Sequence, residues 1–172
     1  MKAFARLLDR TSALVDRACR IAAAVVFILM IALVTLQVVA RYGFSSPPSW
    51  TEEAARYAMI WFALLGGTVA FRAKRDPVIV PFNPHWPRLV ARFATFGRSL
   101  TALVFVGPLV WFGVDFVARY SHRISDTIGV NMGLVVAIIP LFGGIVALHA
   151  VADLFYPRSP EADPVETEDA VT

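Results

Sequence analysis

Four apolar stretches, each about as long as a helix must be to cross a hydrocarbon layer about 30 Å thick, leave this chain little choice of fold. They fall at about residues 21–40, 54–71, 99–118 and 130–155. Unpaired backbone groups in lipid cost several kcal/mol each, so no open sheet is viable at that depth. The expectation is an all-α integral membrane protein of four transmembrane helices. Composition agrees: 58% of the 172 residues are apolar and 17% are charged, against about 25% in an ordinary soluble chain. A soluble enzyme, a disordered chain and a disulfide scaffold are thereby excluded. The single cysteine, Cys19, cannot make an intrachain bridge. With only three histidines beside it, it cannot complete a four-ligand structural zinc site.

Basic residues in short connections mark the cytoplasmic side of a membrane. Five of the 16 lie before the first span (Lys2, Arg6, Arg10, Arg17, Arg20) and six between the second and third (Arg72, Lys74, Arg75, Arg88, Arg92, Arg98). Only four fall on the other side: Arg41, Arg56, Arg119 and Arg123. Both termini are therefore expected in the cytoplasm. After Tyr156 the tail carries Glu161, Asp163, Glu166, Glu168 and Asp169 against Arg158, so residues 157–172 read as a solvated, disordered acidic tail. Without it the chain holds a basic excess that faces anionic lipid headgroups and calls for no nucleic acid.

Residues 1–20 are amphipathic. Phe4, Leu7, Leu8, Leu14, Val15 and Ala18 share one helical face, and Lys2, Arg6, Arg10, Asp16, Arg17 and Arg20 the other. Such a helix either lies in the headgroup plane or simply extends the first span. The apolar run that follows exceeds the 7–15 residues of an ordinary signal-peptide core, so an uncleaved anchor is expected.

The connections carry most of the polar information. Pro47 and Pro48 stop the first helix, and Ser49 with Glu52 has the spacing of a capping box opening the second. Trp50 sits where indole rings prefer the headgroup boundary. Glu52 and Arg56 are spaced for a helical ion pair, and Glu53 also reaches Arg56. This group is either a periplasmic docking surface or a local cap and salt bridge. Pro77, Pro81, Pro84 and Pro87 exclude a regular helix before Arg88, so residues 76–87 are expected to cross the surface extended. Close helix approach needs small residues, and these appear as Ala63/Gly67, Gly66/Ala70 and Gly143, Gly144, Ala147. Gly107-Pro108 and Pro140 are expected to be packing kinks.

No span centre holds a charge. Asp115 with Arg119, and His149 with Asp153, are expected as interfacial pairs at span ends. Of the histidines only His149 lies in a span, a poor supply of axial ligands for a haem-binding anchor. Phosphate-cradling loops, nucleophile elbows and metal motifs do not occur. No catalytic site, metal or cofactor is expected.

The run Leu36-Gln37-Val38-Val39-Ala40-Arg41-Tyr42, followed by Trp50-Thr51-Glu52-Glu53-Ala54-Ala55-Arg56-Tyr57, Trp61 and Leu65-Gly66-Gly67, resembles the small membrane subunit (DctQ-like) of tripartite ATP-independent periplasmic (TRAP) transporters. The resemblance runs over about residues 10–156 and is most specific from Gln37 to Gly67. It implies a noncatalytic scaffold in the bacterial inner membrane. That scaffold would brace a large permease subunit, which carries the sodium and substrate sites, and would help dock a periplasmic substrate-binding protein that delivers an organic acid. Arg41, Trp50, Glu53, Arg56 and Gly66 match the family's recurrent residues. With Glu52, Trp61 and Gly67 they are the candidate partner-interface residues. The alternative is a haem or quinone membrane anchor of a respiratory complex; a freestanding small transporter is a third reading.

Overall fold

A computed structural model describes residues 2–43, 48–73 and 88–155. The expected extended crossing at 76–87 and the acidic tail at 157–172 lie outside these residues. Among the described residues five helices follow in order: α1 (Lys2–Gly43), α2 (Ser49–Ala73), α3 (Arg88–Tyr120), α4 (Met132–Val136) and α5 (Ile138–Phe155). Together α4 and α5 form one membrane-length unit, so the helices give four candidate spans, as the hydropathy requires. Among the described residues there is no strand, only an isolated bridge between Ile124 and Asn131.

The amphipathic leader continues into the first span as a single helix of 42 residues, about 63 Å long at 1.5 Å per residue. Its inward positions are Ser12, Asp16, Cys19, Ala23, Val26, Met30, Leu33, Gln37 and Ala40, alternating steps of four and three. That is the 3.5-residue period of a left-handed coiled coil. Helix α2 answers with Thr51, Ala58, Leu65 and Arg72, seven apart, and packs along α1. Phe27 and Phe62 meet across this pair with ring centroids 4.9 Å apart. The leader is realised as a continuous extension of the first span, and its burial does not follow the two sequence faces: Val15 packs against the core and Arg10 and Arg17 are exposed. Leu7 and Leu14 are 63% and 71% exposed, while Ser12 and Asp16 point inward. The physical reason is the neighbour: at that level α2 and α5 present Arg72 and His149, which reward polar side chains on α1.

Helix α3 packs along α5, and α5 also meets α2 and α1, so α5 is the hub of the bundle. A Cβ at Gly143 would lie 2.8 Å from Val110 Cγ2, and one at Gly113 would lie 3.0 Å from Pro140 Cβ. Small residues thus let α3 and α5 approach closely, as lipid-embedded helices require. Pro108 is accommodated inside an uninterrupted α3. Pro140 instead follows a break at Ala137, because a prolyl ring clashes with the carbonyl four residues earlier. The outer faces of α1 and α3 stay apolar and open, with Ile21, Val25 and Ile28 on one and Val104, Trp111 and Phe112 on the other. Such surfaces need lipid or protein cover.

Candidate functional site: a buttressed elbow and the polar layer opposite it

One end of the bundle carries the connections from α1 to α2 and from α3 to α4; the other carries the α1 N-terminus and the C-terminal ends of α2 and α5. At the connection end Glu53 is the organising residue. Its carboxylate accepts a hydrogen bond from Tyr57 Oη at 2.5 Å and from the backbone amides of Thr127 and Ile128 at 3.1 and 3.2 Å. Those amides belong to a compact loop. Ser125 N donates to Val130 O and Met132 N to Arg123 O, both at 2.9 Å. Gly129 turns the loop at φ +75°, a backbone conformation that side chains with a Cβ disfavour. Asn131 closes it, accepting from Gly133 N at 2.8 Å as the α4 N-cap and donating to Ser121 O at 2.7 Å. Tyr57 Oη also lies 3.3 Å from Met132 Sδ. One turn further in, Trp61 Nε1 donates to Val135 O at 3.1 Å, next to the α4–α5 break.

The expected interface residues therefore divide into two groups. Glu53 and Trp61 act inside the chain, joining α2 to the 121–131 connection and to α4. Glu52 and Arg56 form the expected ion pair, 3.2 Å apart and with both side chains more than half exposed. Glu53 does not share it, because the loop amides occupy its carboxylate. Trp50 and Arg41 are exposed at the same end, Arg41 in the last turn of α1. Gly67 backs onto Phe142, whose ring would lie 3.3 Å from an added Cβ, whereas Gly66 has open space. The loop itself gave no sequence signal as a partner for Glu53. Its run Ile128-Gly129-Val130-Asn131 marks a turn in the sequence but not what the turn packs against.

The opposite end holds a constellation that the sequence pattern did not disclose. Ser12 Oγ lies 2.8 Å from His149 Nδ1 and accepts a hydrogen bond from Arg72. The Arg72 guanidinium also lies 3.7 Å from both Asp9 and Asp16, and Asp16 pairs with Arg20 at 2.9 Å. Arg98 reaches Asp153 at 3.4 Å, donates to Phe71 O at 2.6 Å and lies 4.1 Å over the Phe71 ring. His149 and Asp153 are fully buried. Beyond the i, i+4 spacing that suggested a pair within α5, each engages a different helix, and together they cross-tie all four spans. Arg119 likewise bonds the Asp115 backbone carbonyl at 3.3 Å. Among the described residues no three His, Cys, Asp or Glu side chains gather as a metal site.

Four spans tied by polar groups at both ends and apolar on their flanks define a multi-pass helical membrane protein. The chain belongs to the DctQ component family of tripartite ATP-independent periplasmic transporters, whose family model matches residues 30–158. Over 84 residues it is 38% identical to a Haemophilus influenzae protein described as "Putative TRAP transporter small permease protein", an alignment covering 47% of this chain and 52% of that one. It is 21% identical over 126 residues to the sialic acid TRAP transporter small permease protein SiaQ of Vibrio cholerae, covering 73% of each. It is 26% identical over 116 residues to the sialic acid TRAP transporter permease protein SiaT of Haemophilus influenzae, covering 67% of this chain and 19% of that one. The chain thus spans about half the length of the first of these relatives.

Proposed function

We propose that this chain is the noncatalytic small permease subunit of a TRAP transporter. In this reading it braces a large permease subunit and helps dock a periplasmic binding protein for sodium-coupled uptake of an organic acid. The observation that carries the reading is the contrast between a bundle cross-tied at both ends and the long apolar faces of α1 and α3. A body fixed in that way is suited to hold a moving neighbour in place. The excess of basic residues at the terminal end supports a cytoplasmic side for that end, with the Glu53 elbow and exposed Trp50, Glu52 and Arg56 toward the periplasm. Support for a shared assembly comes from the permease relative in which the matching segment occupies 19% of the polypeptide. Two relatives are named for sialic acid, an organic acid, and this supports the substrate class.

Cells that make the large permease and the binding protein but lack this chain should take up no substrate, and restoring the chain should restore uptake. Undiminished uptake without it would overturn the reading.

A further inference from the structure

Helices α2 and α3 do not pack along each other; α5 lies between them. Where they would meet, a groove of about 520 Å³ opens, floored by Val106, Phe142 and Val146 and walled by Gly67, Phe71 and Ala102. Its one polar wall group besides Arg98 is Thr101. Arg98 stands at the rim, in the polar layer, held in place by Asp153 and the Phe71 carbonyl and with its side chain 20% exposed.

Water is a poor filler, because an ordered water needs two to four polar partners and these walls are almost wholly hydrocarbon. A partner helix is too wide: with side chains it measures about 10–12 Å across and packs along several turns. On α2 the groove covers only the turn from Gly67 to Phe71. On α3 it runs from Arg98 to Val106, about 12 Å at 1.5 Å per residue. That depth fits within one leaflet of a hydrocarbon core about 30 Å thick. In the orientation proposed above the rim falls on the cytoplasmic side, and there it presents the Arg98 guanidinium, whose planar fork matches phosphate oxygens.

We propose that this groove is a phospholipid site, with one acyl chain lying between α2 and α3 and the phosphate resting against Arg98. The lipid then completes the bundle on the side where the protein leaves a gap.

The full chain, stripped of lipid in detergent and supplied with phosphatidylglycerol, should retain one lipid in native mass spectrometry. Ala102→Phe fills the groove and should lower retention by about tenfold. Leu100→Phe adds bulk to the exposed outer face of α3 and should leave retention unchanged, which separates site loss from misfolding. Diacylglycerol, which lacks the phosphate, should be held about tenfold less well than phosphatidylglycerol. Equal retention by the parent chain and Ala102→Phe would overturn the site. Equal retention of the two lipids would overturn the assignment of Arg98, and loss of the lipid when the large subunit binds would overturn its role in completing the bundle.

Discussion

Ser12 Oγ lies 2.8 Å from His149 Nδ1, although 137 residues separate the two in the chain. Through this contact the N-terminal extension of α1 is attached to the last two turns of α5, with Arg72 of α2 bonded to the same hydroxyl. The extension is thus positioned by a polar bond, and Leu7 and Leu14 are left outward.

Ser12→Ala removes the hydroxyl and with it the bond, without adding bulk at a fully buried position. Interhelical hydrogen bonds in membranes contribute about 1 kcal/mol, so the variant should remain folded. Amide exchange should rise in residues 6–16 while residues 23–40, gripped by the apolar part of the seam, stay protected. Hydrogen exchange read by mass spectrometry checks this; uniform exchange across α1 in both proteins would contradict it.

Two adjacent glycines should respond in opposite ways. Gly143→Ala drives a methyl group into Val110 and should destabilise by about 1–3 kcal/mol, as overpacking does. Gly144→Ala meets nothing within 4 Å and should be neutral or slightly stabilising, since alanine is the better helix former. Thermal unfolding in detergent, compared for the pair, is the measurement.

At the elbow, exposed and buttressing carboxylates should separate. Glu52→Ala and Arg56→Ala remove a surface ion pair and should change stability by no more than about 0.5 kcal/mol. A fall in uptake in those variants would then report partner contact. Glu53→Ala releases the Thr127 and Ile128 amides, whose exchange should rise by about tenfold. Exchange that stays slow would show that the loop holds itself.

The four membrane-length helices and the Glu52–Arg56 pair were legible in the sequence because each depends on local composition or on spacing within one helix. The Ser49–Glu52 spacing also located the start of α2 correctly, with α2 beginning at Ser49. Less legible was anything set by a neighbouring helix. Read alone, residues 1–20 show two helical faces without saying what either meets, and only Arg72 and His149 give Ser12 and Asp16 a reason to be buried. His149 and Asp153 share a helical face, but which helix each would meet depends on crossing positions that no local pattern encodes. The close approach of Gly113 to Pro140 is of the same kind. Glu53 was legible as important and not as a buttress, because its partners are backbone amides 74 and 75 residues away.

The central claim is that this bundle holds other proteins in place and moves no solute itself. Reconstitution into sodium-free proteoliposomes diluted into sodium-containing buffer, so that the sodium gradient points inward, tests it most directly. With the large permease and the binding protein present, labelled organic acid should accumulate; with this chain alone, uptake should equal that of empty liposomes. Sodium-dependent accumulation by the chain alone would contradict the account.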